Sequence, residues 1–110
     1  MGFFSAIWEA ICDFFEFVVD LVCEVISGIL DFATAVLGWF KQRLLQKGVH
    51  TPFIANMASP QFKEMLHKAP TRNVGIFEGV YNEQTEEIED GRTVEADSLD
   101  YETRRTLGNE

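Results

Sequence analysis

From Phe3 to Phe40 the chain runs for 38 residues without a Lys, Arg, Pro or Asn, and 27 of those residues are apolar. Water disfavours so much contiguous apolar surface, so the fold must provide a cover for it. Six acids interrupt the run: Glu9, Asp13, Glu16, Asp20, Glu24 and Asp31. Their spacings of 4, 3, 4, 4 and 7 have helical rhythm. At about 100° per residue all six, with Ser27 and Gly38, fall within an arc of roughly 80°. The pattern predicts one continuous helix with a narrow acidic stripe. Its wide apolar face carries Phe4, Ile11, Phe14, Phe15, Val18, Val22, Val25, Ile29, Phe32, Val36 and Phe40. Ser27-Gly28 is the natural place for a kink, but the stripe keeps its phase across it, which favours a continuous helix over a hairpin.

Such a helix would be about 57 Å long. The rest of the chain holds too few large apolar side chains to wrap it, so copies of the chain, another protein or lipid must cover it. A lone span is expensive: the four acids from Glu9 to Asp20 would cost over about 10 kcal/mol in a bilayer. Residues 22–40 make a better span, with Asp31 near the centre and Glu24 at one end. Trp39, Lys41, Arg43 and Lys47 then read as interfacial anchors, placing the C-terminal region in the cytoplasm. Several copies with the six acids turned inward would line a pore that favours cations. With the stripe turned outward, the same helix suits a protein bundle or the plane of an interface.

Charge is segregated along the sequence. Residues 1–40 carry −6, residues 41–73 carry +5 and residues 74–110 carry −8, which sum to the net −9. An acidic balance without a broad basic face argues against nucleic acid as a partner. Cys12 and Cys23 are eleven residues apart, about 16 Å along a helix, too far to bond within one chain. They read as small buried hydrophobes. No secretory signal is expected, since no basic segment precedes an uninterrupted apolar run, and no myristoylation is expected, since Ala6 stands where that pattern wants Ser or Thr.

Beyond the long helix the signals are local. Lys47 and Gly48 form a helix end, and residues 48–58 read as a connector. Ser59-Pro60 opens a short helix, whose Glu64 and His67 have the Glu-x-x-His spacing of metal-binding bundles without the partner carboxylates. From Asn73 the texture alternates: pairing Val80 with Ile88 sets Val74 opposite Val94, with a turn at Asn82 to Thr85, while Asp90-Gly91 offers a competing turn. A last short helix, Leu99 to Leu107, is capped by Asp97 or Ser98.

The sequence therefore predicts a mainly α fold with a small β-hairpin: a long N-terminal helix over 3–47, a connector over 48–58 and a small α+β cap over 59–110. It contains no phosphate-binding glycine loop, Cys-x-x-Cys, nucleophile elbow or zinc spacing. The expectation is no enzyme, no cofactor, no metal and no small-molecule substrate. The expected function is self-assembly of a membrane-associated, non-enzymatic protein, with copies of itself and a lipid bilayer as partners. The rival is a soluble structural subunit of a large assembly, such as a capsid, filament or multiprotein complex, whose neighbours bury the apolar helix.

Overall fold

Gly28 sits at φ +110°, a conformation no helix contains and one that glycine alone adopts cheaply. The segment around it is a strand. The computed structural model describes residues 2–17, 21–66 and 72–108. Helix α1 spans Gly2–Phe17 and strand β1 spans Cys23–Leu30; a single π turn over Phe32–Val36 then runs into α2, Leu37–Lys41. Strand β2 is His50–Asn56, α3 is Pro60–Leu66, β3 is Val74–Asn82, β4 is Glu87–Leu99 and α4 is Tyr101–Gly108.

The strands form one sheet in the order β1-β4-β3-β2. β1 runs parallel to β4, while β4, β3 and β2 are antiparallel neighbours. Helices cover both faces. On one face α1 and α3 pack Ile7, Ala10, Ile11 and Phe62 against Ala55, Phe77, Tyr81 and Ile88. On the other, the π turn, α2 and α4 bring Val36 and Leu107 onto Leu30, Ile54, Ile76, Val94 and Ala96. These are called the α1 face and the α2 face below.

The predicted mainly α fold with its helix over 3–47 is thus corrected to a mixed sheet with helices on both sides. A continuous 38-residue helix would be about 57 Å long, whereas the longest extent of the molecule is 37 Å. Only the first part of the run behaves as the periodicity predicts. In α1, Ile7, Ala10, Ile11 and Phe14 face the sheet, and Glu9, Asp13 and Glu16 face water. Past Leu21 the β-branched residues Val22, Val25, Ile26 and Ile29 suit a pleated strand better than a helix. Glu24 lies exposed on β1, and Asp31 caps the π turn by accepting from the Thr34 N–H at 3.0 Å. Val18 and Asp20 lie outside the described residues, as does His67.

Among the described residues no helix is long and apolar enough to cross a membrane. That overturns the transmembrane helix, the pore built on it and the membrane location with a cytoplasmic C-terminal region. The proposed interfacial anchors have other partners. Trp39 is buried, and Arg43 pairs with Asp90 at 2.8 Å; Lys41 and Lys47 are simply exposed.

The connector over 48–58 is also corrected, because most of it is edge strand β2. Ser59 and Pro60 do open α3, the Ser59 hydroxyl accepting from the Phe62 N–H at 3.2 Å. β3 and β4 form the hairpin, but a bulge between Val80 and Tyr81 shifts its register. Tyr81 faces Ile88, Val80 faces Asp90 and Val74 faces Ala96, so Glu89 has no partner in the ladder. Asp90-Gly91 makes no turn. Gly91 lies opposite Gly79, and the two together leave room for aromatic rings: a Cβ on Gly91 would stand 2.7 Å from Phe77 Cζ, and one on Gly79 2.8 Å from Phe53 Cζ. The cap of α4 is Asp100, not Asp97 or Ser98; its carboxylate accepts from the Thr103 N–H at 2.9 Å.

Candidate functional site

Two places hold what a fold of this kind could use: a polar cluster on the α2 face, and the outer margin of β1.

The polar cluster begins with Glu78 in the middle of β3. Its side chain is fully buried, and Oε1 accepts from Arg92 Nε at 2.9 Å across the hairpin. Arg92 also donates to the Ala35 carbonyl at 3.0 Å, which ties the π turn to the sheet. The Trp39 ring meets both arginines, with the Arg92 guanidinium carbon 5.5 Å and that of Arg43 3.5 Å from its centroid. Glu78 Oε2 has no hydrogen-bond partner among the described residues. Burial pushes the Glu78 carboxyl up to about 7, against the pull of the Arg92 hydrogen bond and the charges of Arg92 and Arg43.

At the hairpin end, the bulged Glu89 accepts from Asn82 Nδ2 at 2.7 Å and meets His50 Nε2 at 2.7 Å. His50 Nδ1 accepts the Gln46 N–H at 2.8 Å, which fixes the proton on Nε2. Both imidazole nitrogens are therefore committed, and neither is left to take a proton from a substrate. Glu78, for its part, is fully buried. The cluster has the residue types of an acid–base site, but its geometry is that of a strap holding the α2 layer on the sheet.

The other place is built by the order of the strands. β1 is an edge, and hydrogen bonds fix which of its peptide groups are spent. Val22 O accepts from the Thr93 N–H at 3.0 Å, and Leu30 O from the Asp100 N–H at 3.1 Å. In a parallel ladder, residues that bond to the neighbour alternate with residues whose N–H and C=O point away. The peptide groups of Glu24 and Ile26 therefore turn to β4, and those of Cys23, Val25 and Ile29 turn outward, where no described strand meets them. Beside this open backbone stand exposed apolar side chains: Val22 at 60 %, Val25 at 51 % and Ile29 at 62 % exposure. A break in register between Ile26 and Ile29, with the Gly28 N–H bonded to Asp97 Oδ2 at 2.9 Å, interrupts the strand near its end.

The opposite edge is different. Val49 O accepts from the Glu83 N–H at 2.8 Å, and the Met57 N–H donates to Gly75 O at 3.1 Å. The odd-numbered residues of β2 thus bond to β3, and His50, Pro52, Ile54 and Asn56 face outward. Pro52 has no N–H to offer there, the usual device of a blocked edge.

The structure scatters the predicted acidic stripe: Glu9, Asp13 and Glu16 lie on the wet side of α1, Glu24 on β1 and Asp31 at a turn. The predicted apolar face divides. Ile11 and Val36 are buried, and Phe14, Phe15, Phe32 and Phe40 pack against the two cores, while Val22, Val25 and Ile29 remain outside; for Phe4 only the backbone in α1 is described. Cys23 is exposed, not buried, with Sγ 3.5 Å from Glu95 Oε2, and both cysteines are free thiols. The Glu78–Arg92 pair escaped the sequence reading because pairing Val80 with Ile88 sets Glu78 opposite Asp90; the hairpin end shifts the register by one residue and the bulge by one more, which brings Arg92 opposite Glu78. Compared with protein-family models, with curated proteins and with solved structures, the chain matches none.

Proposed function

We propose that this chain is a non-enzymatic structural subunit that works by associating with copies of itself, using the outer margin of β1. The supporting observation is the unguarded β1 edge. Folds that stay single protect an edge strand with Lys, Pro, a covering helix or inward charges. Between Cys23 and Leu30 there is no Lys, Arg or Pro, and three of the exposed large hydrophobic residues lie on or beside that strand. Apolar surface gathered next to unpaired peptide groups is the arrangement that strand addition uses, main-chain bonds supplying affinity and side chains specificity.

The mass of the purified chain in dilute buffer tests the proposal. Light scattering after size exclusion should give a value well above 12.5 kDa at micromolar concentration, falling on dilution. A single chain at every concentration overturns it.

A further inference from the structure

We infer that two copies join β1 to β1, antiparallel about a two-fold axis at Val25, and that growth stops at this closed pair. The inference rests on the self-association reading above and specifies its geometry. Two sheets of four strands would become one sheet of eight.

The direction and register follow from which peptide groups are free. A two-fold axis between identical strands makes them antiparallel and gives the same patch to both copies. Outward peptide groups must meet outward ones, which leaves axes on residues and not between them; an axis on Glu24 sets the two Glu24 carboxylates directly opposite each other, and one on Ile26 pairs across the register break. An axis on Cys23 pairs only the start of the strand, and one on Ser27 sets the two register breaks against each other. On Val25 the regular stretch is used: Val25 exchanges both bonds with the partner's Val25, and Cys23 lies opposite the partner's Ser27. Leu21 then meets the partner's Ile29, and Glu24 lies beside the partner's Ile26, so the two Glu24 carboxylates are not directly opposed.

Two further observations favour a second copy as the occupant and a pair as the end point. Three side chains at 51 % to 62 % exposure, Val22, Val25 and Ile29, together with the backbone edge supply a substantial part of the about 800 Å² per partner of a standard interface. And the other edge cannot propagate a filament, because Pro52 stands at an outward-facing position of β2 where a head-to-tail neighbour would need an N–H. The charged side chain exposed on β1 itself is Glu24, and the base beside the strand, Arg72, is already paired with Asp97. Pairing two such margins brings the two Glu24 carboxylates to one seam, so added salt should tighten the pair. A foreign basic strand on the same edge would show the opposite salt dependence.

The test uses the full chain with Cys12→Ser and Cys23→Ser, with and without Val25→Cys. In a hydrogen-bonded antiparallel pair, opposite Cα atoms are about 5.5 Å apart, within disulfide reach. Mild oxidation should link the Val25→Cys chain into a covalent dimer and leave the cysteine-free parent uncoupled. Val25→Lys should weaken association about 100-fold, and salt should strengthen it in the parent. Because a variant can fail to fold, hydrogen exchange on the unsubstituted chain gives an independent reading: the Cys23, Val25 and Ser27 amides should slow as concentration rises. A chain that associates without coupling at position 25 and without slowing those amides overturns the β1 pairing and leaves the self-association reading standing. Assemblies heavier than twice 12.5 kDa overturn closure, association that loosens with salt overturns the acidic pairing, and a monomer at all concentrations overturns both readings.

Discussion

Phe77 and Glu78 are neighbours on β3, equally buried and pointing to opposite faces of the sheet, yet different forces hold them. On the α1 face Phe77 meets Phe14, Phe15 and Phe53 with ring centroids 5.7, 4.9 and 5.8 Å away, over the gap left by Gly91. None of these rings is charged, and their contribution to stability is one of shape and dispersion. On the α2 face the buried Glu78 has one strong partner, Arg92, and one oxygen with no hydrogen-bond partner among the described residues. A buried ion pair of that kind recovers its desolvation cost poorly, while breaking it by removing one partner costs more. The α1 face therefore supplies stability, and the α2 face supplies a specific way for the π turn and α2 to sit on the sheet. Truncating Phe77 to Ala should cost about 3 to 5 kcal/mol in urea titrations, with the same loss at every pH. A loss that changed with pH would break the contrast.

The α2 face should answer to pH instead. The Glu78 carboxyl is raised by burial from an ordinary 4.5 to about 7, so the folded chain binds a proton there that the unfolded chain has released. The stabilisation is complete below pH 4.5 and is lost as pH rises through about 7, a swing of at most about 3 kcal/mol. Urea midpoints should fall across that window, and Glu78→Gln should flatten the fall. If Glu78→Gln leaves the slope unchanged, another group is responsible.

Why one face was legible and the other was not is a matter of range. The i, i+3, i+4, i+7 rhythm of Ile7, Ala10, Ile11 and Phe14 is written within one helix, as are the Ser59-Pro60 start of α3 and the alternation of Val74, Ile76 and Val80. Residues 22–31 carry no such local warrant. Glu24 and Asp31 are seven apart, which matches two helical turns and continued a true stripe by coincidence of phase. What makes the segment a strand is Thr93 to Leu99, about seventy residues downstream, which offers β1 a ladder. The Glu78–Arg92 pair was hidden for the same reason, since the hairpin end and a bulge two residues along the strand set its register. The open margin of β1 was legible in part: Val22, Val25 and Ile29 were read as surface to be covered, but on a helix. The free peptide groups beside them exist only in a strand.

The aromatic face can be sharpened from the backbone side. Gly91→Ala puts a methyl group 2.7 Å from Phe77 Cζ and 3.2 Å from a Phe14 ring atom, so Phe77 has to shift. The expected loss is about 1 to 3 kcal/mol, smaller than that of removing the ring. Pairing Gly91→Ala with Phe77→Leu, which vacates the space, should cost less than the sum of the two single changes. Additivity would mean that the glycine is there for the strand's conformation and not for the ring.

The smallest effect expected is at Asp100, which carries the α2 face's second pH dependence with the opposite sign. Its carboxylate accepts the Phe32 N–H at 3.0 Å and the Thr103 N–H at 2.9 Å, as well as the Thr103 hydroxyl, so it caps α4 and pins the start of the π turn. Burial pushes this acid up, but the bonds from Thr103 and Phe32 outweigh burial and hold it below its ordinary 3.8. Its stabilisation is present above 3.8 and is lost as pH falls through the lower folded value. Asp100→Ala should cost about 1 kcal/mol near neutral pH. Glu78 and Asp100 together place the stability maximum of the α2 face between pH 3.8 and 4.5. Asp100→Asn should then soften the acid limb of the stability curve and Glu78→Gln the neutral limb, while Phe77→Ala lowers the whole curve and leaves its shape alone.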